Sequence, residues 1–517
     1  MDQQRRIVLL GLGAIGLPAG AAPPPLSGYP FSLGVASGSP LPDSVVLWTR
    51  ILPDPLNAAS TPPVAMTVRW EVAHDQAFTR IAAKGSAQAQ PALAHSVHVN
   101  VKGLEPARWY WYRFMLGDAV SPVARTRTAP AAGTTPELLK LAVASCQHWE
   151  FGSFSAHRHI AAAAPDLVAF LGDYIYEWGT YQLTHPPVAR RVSESFSLAE
   201  YRARYAQYKS DRDLQSSHHA APWIVTWDDH EVANDYSPER DELLSPGFVA
   251  RRAAAYQAFY EHMPVRLVAP FTSFADMRIY QRFDWGQLAR LHVLDDRQYR
   301  SVHACPRPGR GGSSSVTPAC RELRDPARTM LGKVQEDWLH EGFRSSRARW
   351  NIIAQQTPMA QSSQVPIKAA TDGRFWNDGW DGYPGARERL FNALRAGKAA
   401  NPIVLAGDVH TFYATELKAD FNRATSNANP LIATEFCGTS VTSGSRAQAR
   451  TLQYLDMNPH VKYGRSDKRG FMLMEITPAK TVTTFVGLDD VRNTNTGKAN
   501  LARFVVEEGK PGPKQIS

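Results

Sequence analysis

The sequence lacks several features that would define its class at once. Its 517 residues contain no Lys/Arg tract with interleaved aromatic side chains, which argues against specific nucleic-acid binding. They contain no internal repeats, heptads or low-complexity tracts, so repeat arrays and coiled coils are excluded. Charge is nearly balanced: 57 Lys+Arg against 48 Asp+Glu give a net charge of +9. This modest excess favours anionic substrates or a membrane surface.

Cysteine is scarce, with four residues in the whole chain. Cys305 and Cys320 flank a loop rich in Gly, Ser and Pro, which predicts a disulfide formed outside the cytoplasm. Closing such a loop contributes roughly 3 kcal/mol of stability in the chain-entropy model. Cys146 and Cys437 lie in strand-like runs, where each is either a buried thiol or a metal ligand.

The first 25 residues predict an export signal followed by a Pro-rich linker. Arg5 and Arg6 precede an apolar run at residues 7–18, which is too short to span a bilayer, and small residues follow at 19–22. The paired arginines favour the twin-arginine route, so we expect contact with the export machinery and a periplasmic or extracellular location. A buried N-terminal helix is the alternative. Residues 11–16 spell a dinucleotide-binding fingerprint, but no strand precedes it and we reject that interpretation.

What the sequence does contain is the composition of an ordinary globular protein, long enough for about two to four domains. Residues 26–130 predict an all-β sandwich domain, because short runs of β-branched and aromatic residues alternate with turn formers. Its predicted strands are 44–49, 65–72, 95–101 and 110–114. No catalytic motif lies in this domain, which favours a packing or gating role.

Residues 138–517 predict an α/β domain in which apolar strands alternate with amphipathic helices. The predicted helices are 156–164, 198–208, 248–260, 334–343 and 386–394. The predicted strands are 141–146, 166–176, 223–227, 289–294, 350–354, 402–406, 431–435, 470–477, 481–486 and 501–506. His157 and His159 fall on the first helix as surface or core residues, whereas His218 and His219 are expected in a loop.

Four of these strands end in residues that bind metals. Cys146 closes one strand, and Asp173, Tyr174 and Tyr176 close the next; the other two groups are residues 228–231, with Asn234 beyond, and Asp408 with His410. Each single Asp is by itself a common turn former or helix N-cap. Because the carboxyl ends of parallel strands share one sheet edge, we expect the four groups to meet and to bind two or more cations.

Two neighbouring cations suit the hydrolysis of phosphate esters. They bind the phosphate, lower the pKa of a bound water and stabilise the leaving oxygen. A carboxylate such as Asp173 can bridge both ions. The imidazole of His230 can donate a hydrogen bond to the phosphate or protonate the leaving group.

These groups also carry a resemblance to a known family. Residues 172–176 (Gly-Asp-Tyr-Ile-Tyr), 227–234 (Trp-Asp-Asp-His-Glu-Val-Ala-Asn) and 406–410 (Ala-Gly-Asp-Val-His) resemble the signature blocks of the PhoD-like alkaline phosphatases, which belong to the calcineurin-like metallophosphoesterase superfamily. Further similar blocks are residues 31–40, 46–50, 294–300, 380–384 and 435–440. The resemblance covers nearly the whole chain after the export signal.

The resemblance implies an α/β fold of the metallophosphoesterase type, a sheet sandwich flanked by helices with an N-terminal all-β sandwich domain. It implies an exported, metal-dependent alkaline phosphatase that hydrolyses phosphate monoesters, and diesters as a further class, by a metal-activated hydroxide. The implied metals are Fe³⁺ and Ca²⁺, with other divalent ions as alternatives, and no organic cofactor. We expect a monomer acting on small phosphate esters or on phospholipid- and nucleic-acid-derived diesters.

Carried over by position, the resemblance assigns roles to individual residues. Cys146, Asp173 and Tyr176 hold the ferric ion, with Tyr176 favoured over Tyr174, and Asp173 bridges to calcium and serves catalysis. Asp229 binds the second metal beside the catalytic His230. The centre is completed by Asp408 and His410, with Asn234 and His460 as further candidates; His460 has a structural role as its alternative.

Two positions depart from the family pattern, and two alternative functions stay open. Asp296 stands where the family has Thr, and Cys437 stands where an aliphatic residue is common. Arg297 either pairs with substrate phosphate or forms an ion pair with a strand-end Asp. One alternative function is a phosphodiesterase or phospholipase D-like hydrolase on the same centre. The other is a non-catalytic protein that binds metal or phosphate.

Overall fold

The structure is a computed structural model that describes residues 26–179 and 194–517. The predicted export signal at residues 1–25 lies outside the described residues. The strands are β1 Val35–Leu41, β2 Ser44–Arg50, β3 Met66–Ala73, β4 Ile81–Ala89, β5 Ser96–Lys102, β6 Trp109–Leu116, β7 Ala119–Val120, β8 Ala124–Arg127, β9 Leu139–Ala144, β10 Leu167–Phe170, β11 Trp223–Val225, β12 Gln281–Trp285, β13 Ala289–Val293, β14 Ser315–Val316, β15 Trp350–Ala354, β16 Phe375–Trp376, β17 Pro402–Ala406, β18 Phe412–Lys418, β19 Leu431–Cys437, β20 Val461–Arg465, β21 Gly470–Ile476, β22 Lys480–Leu488, β23 Lys498–Glu507 and β24 Lys510–Ile516. The α-helices are α1 Ser155–Ala162, α2 Leu198–Lys209, α3 Arg212–Ala220, α4 Phe248–His262, α5 Gly332–Ser345, α6 Pro384–Ala396 and α7 Gln448–Met457.

Two large sheets form the body of the molecule. Sheet A has the strand order β24-β23-β22-β21-β9-β10-β11-β1-β2-β5, and sheet B has the order β12-β13-β15-β17-β19-β18-β20. Within sheet A, β9, β10 and β11 run parallel, and within sheet B, β13, β15, β17 and β19 run parallel. The loops that follow these parallel strands therefore emerge at one edge of each sheet.

Side-chain alternation along the strands determines the layers. In β9, Leu141 and Val143 pack into the core between the sheets, while Ala142 and Ala144 point to the opposite face. The core between the sheets also contains Leu291, Ile352 and Leu405 of sheet B. Helices α1 to α4 cover the outer face of sheet A, and α5 and α6 cover that of sheet B. This arrangement confirms the predicted sheet sandwich flanked by helices.

The N-terminal region is all-β, and one of its sheets is shared. Strands β3, β4, β6, β7 and β8 form a separate antiparallel sheet, which packs on β1, β2 and β5 through a core of its own. However, β1 also pairs in parallel with β11, so β1, β2 and β5 extend sheet A. This continuous sheet was not predicted from the sequence.

The predicted helices at 198–208, 248–260, 334–343 and 386–394 are confirmed within a few residues as α2, α4, α5 and α6. Local chemistry explains the start of α2: Ser197 caps the helix, and its side chain and that of Glu200 satisfy each other's backbone N–H groups. The prediction for His218 and His219 was wrong, because both lie in α3, which is capped by Asp211. This short helix contains a single large apolar residue, Leu214, so the sequence gives little sign of it.

The predicted disulfide between Cys305 and Cys320 is present, while Cys146 and Cys437 are buried free thiols. His157 lies buried in α1, where its Nε2 is 2.7 Å from Gln147 Oε1. Among the described residues, no helix combines the length and the apolar character needed to cross a membrane.

Candidate metal centre

The strand-end residues of both sheets meet at one place. Cys146, Asp173 and Asp229 follow β9, β10 and β11 of sheet A, while Asp408 and His410 follow β17 of sheet B. Their ligand atoms form three overlapping groups, in each of which all atoms lie within 4.8 Å of one another. The groups are Cys146 with Asp173 and His410, Asp173 with Asp229 and His230, and Asp228 with Asp229 and Asp408. Asp173 is shared by the first two groups and Asp229 by the last two.

The backbone at these strand ends is strained. Cys146, Asp173, Asp408 and His410 have φ angles of 61°, 55°, 61° and 54°, in the left-handed region. This conformation costs non-glycine residues roughly 1–2 kcal/mol each, and such strain concentrates at functional sites. Next to them, Gly172 permits a close approach of two loops, because a Cβ atom there would lie 2.4 Å from Cβ of Asp228.

The side chains of the centre are suited to bound cations. Asp228 Oδ2 and Asp229 Oδ1 are buried and have no hydrogen-bond partner among the described residues, which is costly for carboxylate oxygens. Burial, followed by neighbouring carboxylates, raises the pKa of Asp408 well above its ordinary value. A thiol, a phenol, imidazoles and carboxylates supply ligands for both soft and hard ions. The donor set therefore suits two or more metal ions.

Tyr176 belongs to the first group. Its hydroxyl donates to Asp173 Oδ2 at 2.9 Å and lies 3.2 Å from His410 Nε2. Burial, Asp173 and Cys146 raise the pKa of this phenol well above its usual range. Tyr174 points elsewhere, since its hydroxyl lies 2.8 Å from Nε2 of His218. The geometry thus agrees with the preference for Tyr176 over Tyr174.

His230 has a carboxylate partner that sequence reasoning missed. Its Nδ1 lies 2.7 Å from Glu177 Oε2, and its ring stacks on Tyr176 with centroids 4.2 Å apart. Burial lowers the pKa of His230, but Glu177, Asp229 and Asp173 outweigh burial and hold it well above 6.5. These carboxylates therefore favour the protonated form of the imidazole. Glu177 directly follows the Gly-Asp-Tyr-Ile-Tyr block, and that position was the available signal.

Glu231 joins two of the site loops. Its Oε2 accepts the backbone N–H groups of Asp173 at 3.0 Å and of Asp228 at 2.8 Å, and its Oε1 accepts that of Tyr174 at 2.6 Å. Both carboxylate oxygens are thereby occupied by backbone donors. Glu231 therefore fixes the loops after β10 and β11 relative to each other, and is not placed as a metal ligand.

Arg297 is a buried counter-charge. Its Nε donates to Asp228 Oδ1, its Nη1 donates to Asp378 Oδ2 at 2.6 Å, and its Nη2 lies 3.6 Å from both Asp229 and Asp408. Of the two alternatives for this residue, the structure shows the ion pair with a strand-end Asp. Asp378 in turn pairs with other basic residues and is a second group that sequence reasoning missed, since it lies in no recognised block.

Two predicted site residues, Asn234 and His460, do not belong to the three groups. The side-chain amide of Asn234 donates to Glu242 Oε2 at 3.1 Å, and its backbone N–H donates to Glu177. His460 Nε2 lies 2.7 Å from the carbonyl oxygen of Gln361, and its ring packs on Phe421 with centroids 4.7 Å apart. These contacts match the structural alternative for His460.

Asp296, which stands at a departure from the family pattern, is also buried. Neither of its carboxylate oxygens has a hydrogen-bond partner among the described residues. Burial raises the pKa of Asp296 to about 7. It follows β13 in sheet B and is not a member of the three groups.

Access to solvent is one-sided. Asp408, His410 and His230 are partly exposed, and the side chain of Asp408 is 27% exposed. Cys146, Asp173, Tyr176 and Asp229 are buried. In the described part of the chain, the side of the centre open to solvent is therefore that of His230, Asp408 and His410.

Comparison with known proteins agrees with this geometry over nearly the whole chain. The family model of the PhoD-like phosphatases matches residues 141–485, and the model of their N-terminal domain matches residues 18–130. Alkaline phosphatase D of Bacillus subtilis (strain 168) is 43% identical over 509 residues, which cover 96% of this chain and 84% of that protein. A solved structure described as that of PhoD is 42% identical and superposes with a TM-score of 0.89, covering 96% of this chain and 93% of the other. The chain therefore belongs to the PhoD-like phosphatase family, and it is a phosphoric ester hydrolase.

Proposed function

We propose that the chain hydrolyses phosphate monoesters, and diesters as a further class, at the centre built by its strand-end residues, with bound metal ions. The observation that supports this most strongly is the presence of three overlapping ligand groups, one of which contains the imidazole of His230. The relative from Bacillus subtilis, which carries the name alkaline phosphatase D, supports the same activity.

We propose Fe³⁺ for the first group and Ca²⁺ for the neighbouring position. Cys146, Tyr176 and Asp173 would hold the ferric ion, with His410 beside them. Asp173 would bridge to calcium, which Asp229 and Asp408 would bind. When bound, these cations orient the phosphate, neutralise its developing charge and lower the pKa of a coordinated water. Asn234 and His460 contribute no ligand in this proposal.

His230 acts on the phosphate or on the leaving oxygen. Because Nδ1 is occupied by Glu177, Nε2 is the nitrogen left to donate a hydrogen bond or a proton. The protonated imidazole is suited to that donation, since an oxygen that leaves as an alkoxide must be protonated. Arg297 compensates the buried charge of Asp228 and orders its neighbours, so it acts through other residues and does not touch the substrate.

The test uses protein produced with its own N-terminal segment. Its metal content is measured, and its turnover is compared on an aryl phosphate monoester and on the corresponding diester. Bound iron with calcium and release of inorganic phosphate from the monoester support the proposal. A protein that binds phosphate without turning over either ester would contradict it, and a strong diester preference would instead indicate the phosphodiesterase or phospholipase D-like alternative.

We also propose export by the twin-arginine route, on the basis of residues 1–25. Replacement of both Arg5 and Arg6 by Lys should retain the protein in the cytoplasm. Fractionation of cells that express the two forms checks this. Equal export of both forms would argue for another route.

A further inference from the structure

A single short loop, residues 442–444, contacts three of the proposed ligands. Ser443 Oγ lies 2.7 Å from the phenol oxygen of Tyr176. The carbonyl oxygen of Gly444 lies 2.6 Å from Nδ1 of His410. The backbone N–H groups of Thr442 and Ser443 donate to the carbonyl oxygen of Cys146 at 3.4 and 3.3 Å. Residues that arrive from three different strand ends are thus held by one segment.

The loop is itself anchored. Arg469 donates from Nη1 to the carbonyl oxygen of Ser443 at 2.7 Å and to Ser440 Oγ at 3.1 Å. Its Nη2 donates to the carbonyl oxygen of Ser466. Ser443 is buried, with 2% of its surface exposed. Arg469 therefore holds the backbone of Ser443 in place, and the buried hydroxyl of Ser443 is excluded from bulk water.

A count of protons shows what this hydroxyl can do. Ser443 Oγ lies 3.0 Å from the carbonyl oxygen of Cys146 and 2.7 Å from Tyr176, but it has a single proton to donate. The protonated Tyr176 donates its own proton to Asp173 Oδ2. A phenolate at Tyr176 can only accept hydrogen bonds, and Ser443 is then the neighbouring hydroxyl in position to donate one.

We propose that Ser443 is a positioning residue that donates a hydrogen bond to the Tyr176 phenolate and so holds the cation bound by Cys146, Asp173 and His410. The inference rests on the proposed function, because it requires Tyr176 to be a ligand. Groups that orient metal ligands typically change metal affinity or activity by about 10- to 100-fold when they are removed. Gly444 plays a parallel part for His410: a proton held on Nδ1 by its carbonyl leaves the lone pair of Nε2 for the metal.

The first experiment measures how fast a chelator removes metal from the loaded protein. Ser443→Ala should lose metal about 10- to 100-fold faster than wild type, and Ser443→Thr, which keeps a hydroxyl, should restore most of the retention. Ser445→Ala is the matched control, since the Ser445 hydroxyl lies 3.0 Å from Thr411 Oγ1 and, within the described residues, forms no hydrogen bond with a proposed ligand. Thermal unfolding of each variant checks that the fold is kept.

A second measurement separates the bond to Tyr176 from a merely structural role. Protein loaded with ferric iron should show a tyrosinate-to-iron absorption band. In Ser443→Ala the band should move to longer wavelength, because a phenolate that loses a hydrogen bond becomes a better electron donor. A band that stays in place, or equal metal loss in the Ser443→Ala and Ser445→Ala variants, overturns the proposal.

The results also distinguish a failure of the proposed function from a failure of the role proposed for Ser443. A wild-type protein that binds no metal overturns the proposed function and this inference together. A wild type that is loaded and active, with a Ser443→Ala variant that retains metal equally well, overturns this inference alone.

Discussion

Glu177 binds the ring of His230 through one carboxylate oxygen, Oε2, at 2.7 Å, and the backbone N–H of Asn234 through the other at 2.7 Å. A single buried carboxylate thus sets the orientation of the imidazole and the path of the chain beyond it. Glu177 also raises the pKa of His230 more than any other group does, so its charge favours the protonated ring.

Glu177→Gln should lower kcat by roughly 10- to 100-fold, because general acid–base groups contribute about 100-fold or more and the imidazole stays in place. The negative charge that favours the imidazolium is lost, so His230 loses its proton at lower pH. The alkaline limb of the kcat profile should therefore move to lower pH. Glu71→Gln, which removes a carboxylate paired with Arg113 in the N-terminal sheet, is the control. An unmoved alkaline limb would contradict the role given to Glu177.

Asp173→Asn and Asp408→Asn should each reduce turnover by at least roughly 100-fold while the fold persists, since both carboxylates are proposed to hold cations against the developing charge. Both residues have positive φ angles, which Asn tolerates well, and each change removes a charge that burial disfavours. Turnover and thermal unfolding are measured together. The control is Asp420→Asn at a surface turn. Turnover near that of wild type in either site variant would refute the ligand assignment.

Removal of the metals should change how stability depends on pH. Without cations, burial and neighbouring carboxylates raise the folded-state pKa of Asp173 and Asp408 above the ordinary value of 3.8. The folded state then binds more protons than the unfolded state, so the free energy of unfolding falls as pH rises through the raised pKa values. Stripped protein should therefore lose stability more steeply than loaded protein as pH rises above the ordinary carboxyl pKa of 3.8. Denaturant titrations at several pH values check this, and identical slopes would contradict it.

Replacement of both Cys305 and Cys320 by Ser should lower the free energy of unfolding by about 3 kcal/mol, since the bond closes a loop with a sequence separation of 15. The same loop is connected to the site indirectly, because the carbonyl oxygen of Gly311 lies 3.2 Å from Nδ1 of His303, and His303 pairs with Asp378, a partner of Arg297. We therefore also expect a lower kcat. Dithiothreitol should reproduce both effects in wild type and add nothing to the double variant. A further loss in that variant would point to another target of the reductant.

The sequence allowed much of the fold to be predicted, because α5 and α6 have a marked apolar face and the buried strands are continuous apolar runs. Helices α2 and α4 are runs of 12 and 15 residues with helix-forming composition. The sequence did not reveal that β1 pairs with β11, since strand partners far apart in the chain leave no local pattern. The polar helix α3 was missed for the related reason that its apolar face is short.

Sequence blocks located the candidate ligands but not the groups that hold them. Cys146, Asp173, Asp229, Asp408 and His410 end strands and were recognisable by position. The residues that hold these ligands are determined by side-chain direction, which the sequence does not show. Glu231, which accepts three backbone N–H groups, is an example. For the same reason the sequence did not show that the side chains of Asn234 and His460 are directed to Glu242 and Gln361.

The continuity of sheet A has a consequence for the architecture as a whole. A chain cut near residue 130 would leave β11 as an open edge, with backbone hydrogen-bonding groups that β1 no longer covers. Unprotected apolar edges pair with other chains and aggregate. The N-terminal region therefore protects an edge of the catalytic sheet, and we expect the two parts to be produced and engineered best as one unit.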